Sequence, residues 1–141
     1  MAATPHPPTP PEGAHRIDAV GRPYDPDRMP RKDEVGAAGY FAVDLRVGRV
    51  TAVEPFPEAR DPAWKLTVDF GPLGSLRTSA KVTNYAADEL LGRQVVGAVN
   101  LGAKRIAGFV SEFLVLGGLE ADGTVRLLAP DADLPPGSVV A

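Results

Sequence analysis

Cysteine is absent from the chain, and its two histidines, His6 and His15, both precede residue 16. Beyond that point a disulfide, a thiolate or imidazole zinc site, a Ser-His-Asp triad and a Cys-His pair are all excluded. No apolar run approaches the roughly 20 residues that a bilayer span needs. The opening Met1-Ala2-Ala3-Thr4-Pro5-His6 has neither a basic nor an apolar region, so no secretory signal is expected. Neither a GxxxxGK[ST] loop nor a GxGxxG turn occurs, so nothing prepares a nucleotide cradle. Excess positive charge is missing too, with a formal net charge of −3 and a sequence pI near 5.3. A nucleic-acid ligand would therefore need a local basic patch on an acidic surface. These absences point to a cytoplasmic binding protein, not an enzyme, working without metal or cofactor and without membrane insertion.

Glycine and proline are plentiful, 15 of each, and eight of the prolines precede residue 40. Proline fixes φ and lacks an amide donor, so Pro7-Pro8-Thr9-Pro10-Pro11 can enter neither a helix nor a central strand. The run Arg22-Pro23-Tyr24-Asp25-Pro26-Asp27-Arg28 mixes charge with further breaks. Residues 1–39 are accordingly expected to form a disordered Pro-rich tail, in which 17–20 could add a strand to a partner's edge. Residues 40–141 form the expected folded domain.

Within that domain the apolar period is two. Val43, Leu45 and Val47 alternate with Asp44 and Arg46; after Gly48 the phase shifts to Val50 and Ala52, which predicts a bulge or bend at the glycine. Trp64, Leu66, Val68 and Phe70 point one way, and Lys65, Thr67 and Asp69 the other. Gly71-Pro72-Leu73-Gly74 is a turn leading to a third strand over 76–82. Asn84 reads as the N-cap of a short helix over 85–91, with Gly92 as its C′ residue. Further strands are expected over 94–100, 112–116 and 124–128, with a last turn at Pro135-Pro136-Gly137. Three strands, a short helix and then more strands is the order of an all-β OB-fold. That fold is a five-stranded Greek-key barrel with a short helix between strands 3 and 4. A generic small β-barrel or an SH3-like roll shares much of this pattern. The acidic residues Glu54, Glu58, Asp61, Asp69 and Glu112 read as solvated strand faces or turns, not as a paired acid and base.

Several stretches carry a resemblance. Val43-Asp44-Leu45-Arg46-Val47-Gly48-Arg49-Val50 resembles the opening V-D-[LI]-R-x-G-x-[IV] strand of the tRNA-binding-domain family, which includes the C-terminal appendage of some methionyl-tRNA synthetases. Phe56-Pro57-Glu58-Ala59-Arg60 and Lys65-Leu66-Thr67-Val68-Asp69-Phe70-Gly71 resemble its small stand-alone bacterial branch, the CsaA-type chaperone-like proteins. So does Lys104-Arg105-Ile106-Ala107-Gly108-Phe109 running into Ser111-Glu112-Phe113-Leu114-Val115-Leu116-Gly117. The resemblance covers residues 40 to about 140, and the tail has no counterpart in it. It implies a homodimeric OB-fold that binds tRNA, or else unfolded or precursor polypeptides. It departs at Gly102-Ala103, where the branch usually carries two prolines.

Lys104 and Arg105 are the most concentrated positive charge of the domain. They are expected in a loop of the kind that OB-folds use for ligand contact, and the resemblance assigns them to phosphate. Arg77 and Lys81 share one parity of the third strand, and Lys65 is expected to join that face from the second. Asn100 and Ser111 flank the basic loop, where each could contact RNA or cap a turn. The family's Ser-Glu signature favours Ser111 and Glu112 as contacts. Phe56 and Trp64 bracket the 57–62 loop and could line a peptide pocket, although Trp64 also continues the inward parity of a core residue. The apolar ends at Tyr40-Phe41 and Val139-Val140 suit a dimer seam.

Overall fold

Tyr24–Ala141 are described by the structure, a computed structural model. The elements run α1 (Gly36–Phe41), β1 (Leu45–Pro55), β2 (Trp64–Asp69), β3 (Ser75–Ala80), α2 (Ala87–Leu90), β4 (Gln94–Ala98), β5 (Lys104–Ile106), β6 (Phe109–Ser111), β7 (Leu114–Val115), β8 (Gly117–Leu119) and β9 (Val125–Leu127). Strand β1 organises them, because it serves two antiparallel partners in succession. Leu45 to Arg49 pair with β4, and Arg49 to Pro55 pair with β2. The resulting sheet has the order β3-β2-β1-β4-β7. Its far edges then meet: the Glu112 N–H donates to the Arg77 carbonyl at 2.7 Å, and the Thr78 hydroxyl to the Phe113 carbonyl at 2.8 Å. The sheet curls into a nearly closed five-stranded barrel with one short helix between β3 and β4, the OB-fold expected.

Alternation in β2 fills the barrel. Leu66, Val68 and the following Phe70 are completely buried, and they pack with Val50, Val95, Leu90, Val82 and Phe113. Phe70 and Phe113 meet edge to face, with centroids 5.0 Å apart and planes at 84°. Each ring lies over a glycine of a neighbouring strand. A Cβ at Gly97 would run into both rings, and one at Gly48 into Val68 and Phe70. Any larger residue at these points would force the pair apart.

This packing corrects the reading of Gly48. Register passes through Gly48 opposite Val95 without interruption, and the bulge lies between Val50 and Ala52. The glycine is there for close approach of the rings, and Thr51 is the extra residue. The helix is shorter than expected, because Asn84 does not cap it. The Asn84 amide donates to the Val125 carbonyl at 3.1 Å, while the Glu89 carboxylate accepts the Ala86 N–H at 2.8 Å. Gly92 follows the helix with φ +84°, as a C′ glycine does. Within the described part of the segment expected as a tail, two features are placed. Tyr24 is only 4% exposed and donates its N–H to the Ala121 carbonyl, and α1 occupies Gly36–Phe41. A single aromatic ring is apolar surface enough to dock in a proline-rich context. The strand suggested over 17–20 lies outside the described residues.

A further departure concerns the basic doublet, which lies on a strand and not in a loop. Strands β5 and β6 form a hairpin that pairs Lys104 with Ser111, Arg105 with Val110 and Ile106 with Phe109. Its two-residue turn, Ala107-Gly108, has φ of +47° and +82°. Two positive φ angles match the right-handed twist of a hairpin, and alanine tolerates this conformation poorly.

Two outcomes follow for stability. Gly97→Ala should cost about 1–3 kcal/mol by overpacking the ring pair, read as a lower urea midpoint at unchanged m value. Ala107→Gly should relieve up to about 1 kcal/mol of turn strain, read as slower amide exchange across β5 and β6.

Candidate functional site

The outer face of β2 and β3 is roofed at one end by two excursions of the chain, the 56–63 loop after β1 and the β5–β6 hairpin. A second apolar cluster of Phe56, Ala63 and Phe109, flanked by Ala59 and Ile106, joins them apart from the main core. The Phe56 and Phe109 rings are 5.5 Å apart, and both are almost fully buried. Two cations rest on them. Lys65 Nζ is 4.8 Å from the Phe56 centroid and 5.4 Å from that of Phe109, and the Arg77 guanidinium is 4.6 Å from Phe109. Each contact is worth roughly 0.5–1 kcal/mol at such a half-exposed place, and together they fix long side chains that would otherwise sweep through solvent. Glu54 stands opposite Lys65 in the β1–β2 ladder, yet its carboxylate pairs with Arg77 at 3.5 Å.

Beside this face runs an open groove of about 1250 Å³, walled by β3, the β5–β6 hairpin and the 113–119 segment. Lys81, Lys104 and Arg105 line it among apolar groups such as Val82, Ile106 and Phe113. The charges differ in how free they are. Lys81 Nζ is 3.1 Å from Asp61, which also lies 3.8 Å from the Arg60 guanidinium. Lys65, Lys104 and Arg105 have no ion-pair partner among the described residues; Arg105 only donates to the Gly108 carbonyl at 3.2 Å. Neighbours on a strand project to opposite sides, so the side chains of Lys104 and Arg105 diverge although both residues border the groove. Gly102, in the turn leading to it, has φ +86°, a conformation closed to proline.

The remaining expected residues have their polar groups engaged inside the fold. Asn100 accepts the Asp44 N–H at 2.7 Å and donates to the Ala42 carbonyl at 2.8 Å, pinning the start of β1. The Ser111 hydroxyl is buried and lies 3.0 Å from that of Thr78. Glu112 accepts the Arg77 N–H at 3.0 Å, closing the barrel edge. The Trp64 indole packs on the main core and donates to the Tyr85 carbonyl at 3.0 Å. Arg77 and Lys81 share the outward side, as their parity predicts. Sequence reasoning passed over Phe109 and Arg60. Pairing residues outward from the Ala107-Gly108 turn would have set Phe109 against Ile106.

Among the described residues no cluster of His, Cys, Asp or Glu could hold a metal ion, and no helix is long and apolar enough to cross a membrane. The family model described as "Putative tRNA binding domain" matches residues 45–139. Chaperone CsaA from Bacillus anthracis str. Ames is 44% identical with a TM-score of 0.74, over 77% of this chain and 100% of that one. The MetRS related protein from Pyrococcus horikoshii, 23% identical, has a TM-score of 0.70 over 78% of this chain and 100% of its own, a likeness of fold alone. The methionine–tRNA ligase of Porphyromonas gingivalis is 33% identical over 111 residues, which is 79% of this chain and 16% of the ligase. That of Bacillus subtilis is 33% identical over 116 residues, 82% of this chain and 17% of the ligase. The chain thus spans less than a fifth of either ligase. The barrel, its cationic face and a family model running from β1 to the C-terminal segment agree: the chain belongs to the tRNA-binding-domain family.

Proposed function

We propose that the chain is a non-catalytic tRNA-binding module whose ligand crosses the β2–β3 face and follows the β5–β6 hairpin. The observation that carries this reading is the pair of cations, Lys65 and Arg77, laid on Phe56 and Phe109 beside Lys104 and Arg105, which have no ion-pair partner among the described residues. The rings are too deeply buried to stack bases, so their role is to hold charge at fixed places. Phosphates meet Lys104, Arg105 and Lys65 first, since no carboxylate has to be displaced there. Lys81 and Arg77 are recruited as Asp61 and Glu54 give way. Asn100, Ser111 and Glu112 support the site by shaping its backbone. A tRNA ligand places the module in the cytoplasm, where it acts without a cofactor.

Binding of unfolded or precursor polypeptide is the second reading, favoured by the apolar wall of the groove and by the likeness to a chaperone. Its contacts fall on Leu101 and Leu114, which are 55% and 42% exposed, in preference to Phe56 and Trp64. A homodimer is part of the same proposal. Phe41 and Val139, near the two ends of the domain, are each 70% exposed, and pairing two copies there would cover them.

Lys104→Ala with Arg105→Ala should weaken tRNA binding and flatten the log–log salt slope by about 0.7 per lost phosphate contact. Affinity for a reduced, carboxymethylated protein, driven by apolar burial, should change little. Fluorescence anisotropy between low and physiological salt measures both, and an unchanged tRNA slope would take the site off the hairpin. Sedimentation equilibrium at micromolar concentration should give twice the 14.8 kDa chain mass; a clean monomer would remove the dimer from the proposal.

A further inference from the structure

One end of the groove is walled by a segment that precedes the barrel in the chain. Tyr24 and Met29 line it together with Leu119 and Val125, at the end formed by the β8–β9 hairpin. The Tyr24 N–H donates to the Ala121 carbonyl at 3.4 Å, and the ring passes so close to Gly123 that a Cβ there would touch it at 3.6 Å. Between the two lining residues the chain makes a turn built on Asp25. Its carbonyl accepts the N–H groups of Arg28 and Met29 at 2.9 and 3.1 Å, and its carboxylate accepts that of Asp27 at 3.1 Å. The turn thus holds Tyr24 and Met29, its two lining residues, against the end of a groove whose walls carry Lys81, Lys104 and Arg105.

The docking is incomplete in one respect. The Tyr24 hydroxyl is buried and has no hydrogen-bond partner among the described residues, whereas buried hydroxyls nearly always find one. Burial of the ring favours the docked state while the stranded hydroxyl opposes it, so the segment is held weakly enough to be displaced.

We propose that segment 24–29 is an intramolecular strap, which closes one end of the groove with the Tyr24 ring and Met29 and must leave before a polyanionic ligand can run its length. The proposal rests on the groove being the path of tRNA, and it adds regulation in cis to that reading. Ligand affinity is then reduced by the fraction of molecules with the strap docked. Anything that pulls on the chain N-terminal to Tyr24 would raise it.

The full chain tests this in two steps. Without ligand, trypsin should cleave after the exposed Arg28 several-fold faster in Tyr24→Ala than in wild type. Tyr24→Phe, which keeps the ring and removes the stranded hydroxyl, should be cut no faster than wild type. Equal rates in all three proteins would overturn docking. In tRNA anisotropy at fixed salt, Tyr24→Ala should bind about threefold to tenfold more tightly than wild type, with an unchanged salt slope and Tyr24→Phe no tighter. Equal or weaker binding by a Tyr24→Ala protein that melts like wild type would overturn competition. If no variant binds tRNA, the tRNA reading has failed, and the comparison is made with reduced, carboxymethylated α-lactalbumin. Equal affinity of wild type and Tyr24→Ala for that probe would likewise overturn the strap.

Discussion

The edge-to-face contact between Phe70 and Phe113, seated over Gly48 and Gly97, sets the dimensions of the whole barrel. Phe70 follows β2, Phe113 precedes β7, and the glycines belong to β1 and β4, so one contact joins strands from both halves of the sheet. With the rings in place, β3 and the 111–115 segment come close enough for Thr78, Arg77 and Glu112 to bond across the seam. That closure also carries the β5–β6 hairpin up to the β2–β3 face. The site thus depends on a core contact that touches none of its charges.

How an acidic chain presents a cationic surface is a matter of placement. The aromatic cluster under Lys65 and Arg77 holds two positive charges where the backbone alternation puts them outward, while Asp61 and Glu54 take up charge that is not needed at rest. These exposed pairs contribute little to stability. Their effect is to lower the standing field of the face, leaving Lys104, Arg105 and Lys65 as cations with no carboxylate partner among the described residues.

Much of the fold was legible because strand alternation is a local property. The inward set Leu66, Val68 and Phe70, the turn after it and the C′ glycine at Gly92 follow from neighbours within a few residues. Gly48 was misread because a glycine in a strand has two causes, a bulge or a close approach, and only the partner strand distinguishes them. The β5–β6 hairpin was hidden because its turn carries alanine where asparagine or glycine signals the type. Long-range partnerships stayed out of reach for a different reason. Nothing local joins Lys81 to Asp61, Asn100 to Asp44, or Tyr24 to Ala121. The tRNA-binding family, by contrast, was legible in short motifs, since their order survives without knowledge of contacts.

The bulge at Thr51 bears on which length changes the chain can accept. Strand β1 shows one alternation to β4 and another to β2, and the single unpaired residue between Val50 and Ala52 reconciles them. Deleting it would leave one half in register and rotate the other by a full side-chain phase, turning the neighbours of Lys65 and Arg77 toward the core. Insertions in the 56–63 loop or at the tip of β8–β9 leave that phase intact. Length variation in this barrel should therefore gather at its loops, with the middle of β1 acting as a fixed count from which both halves of the sheet are measured.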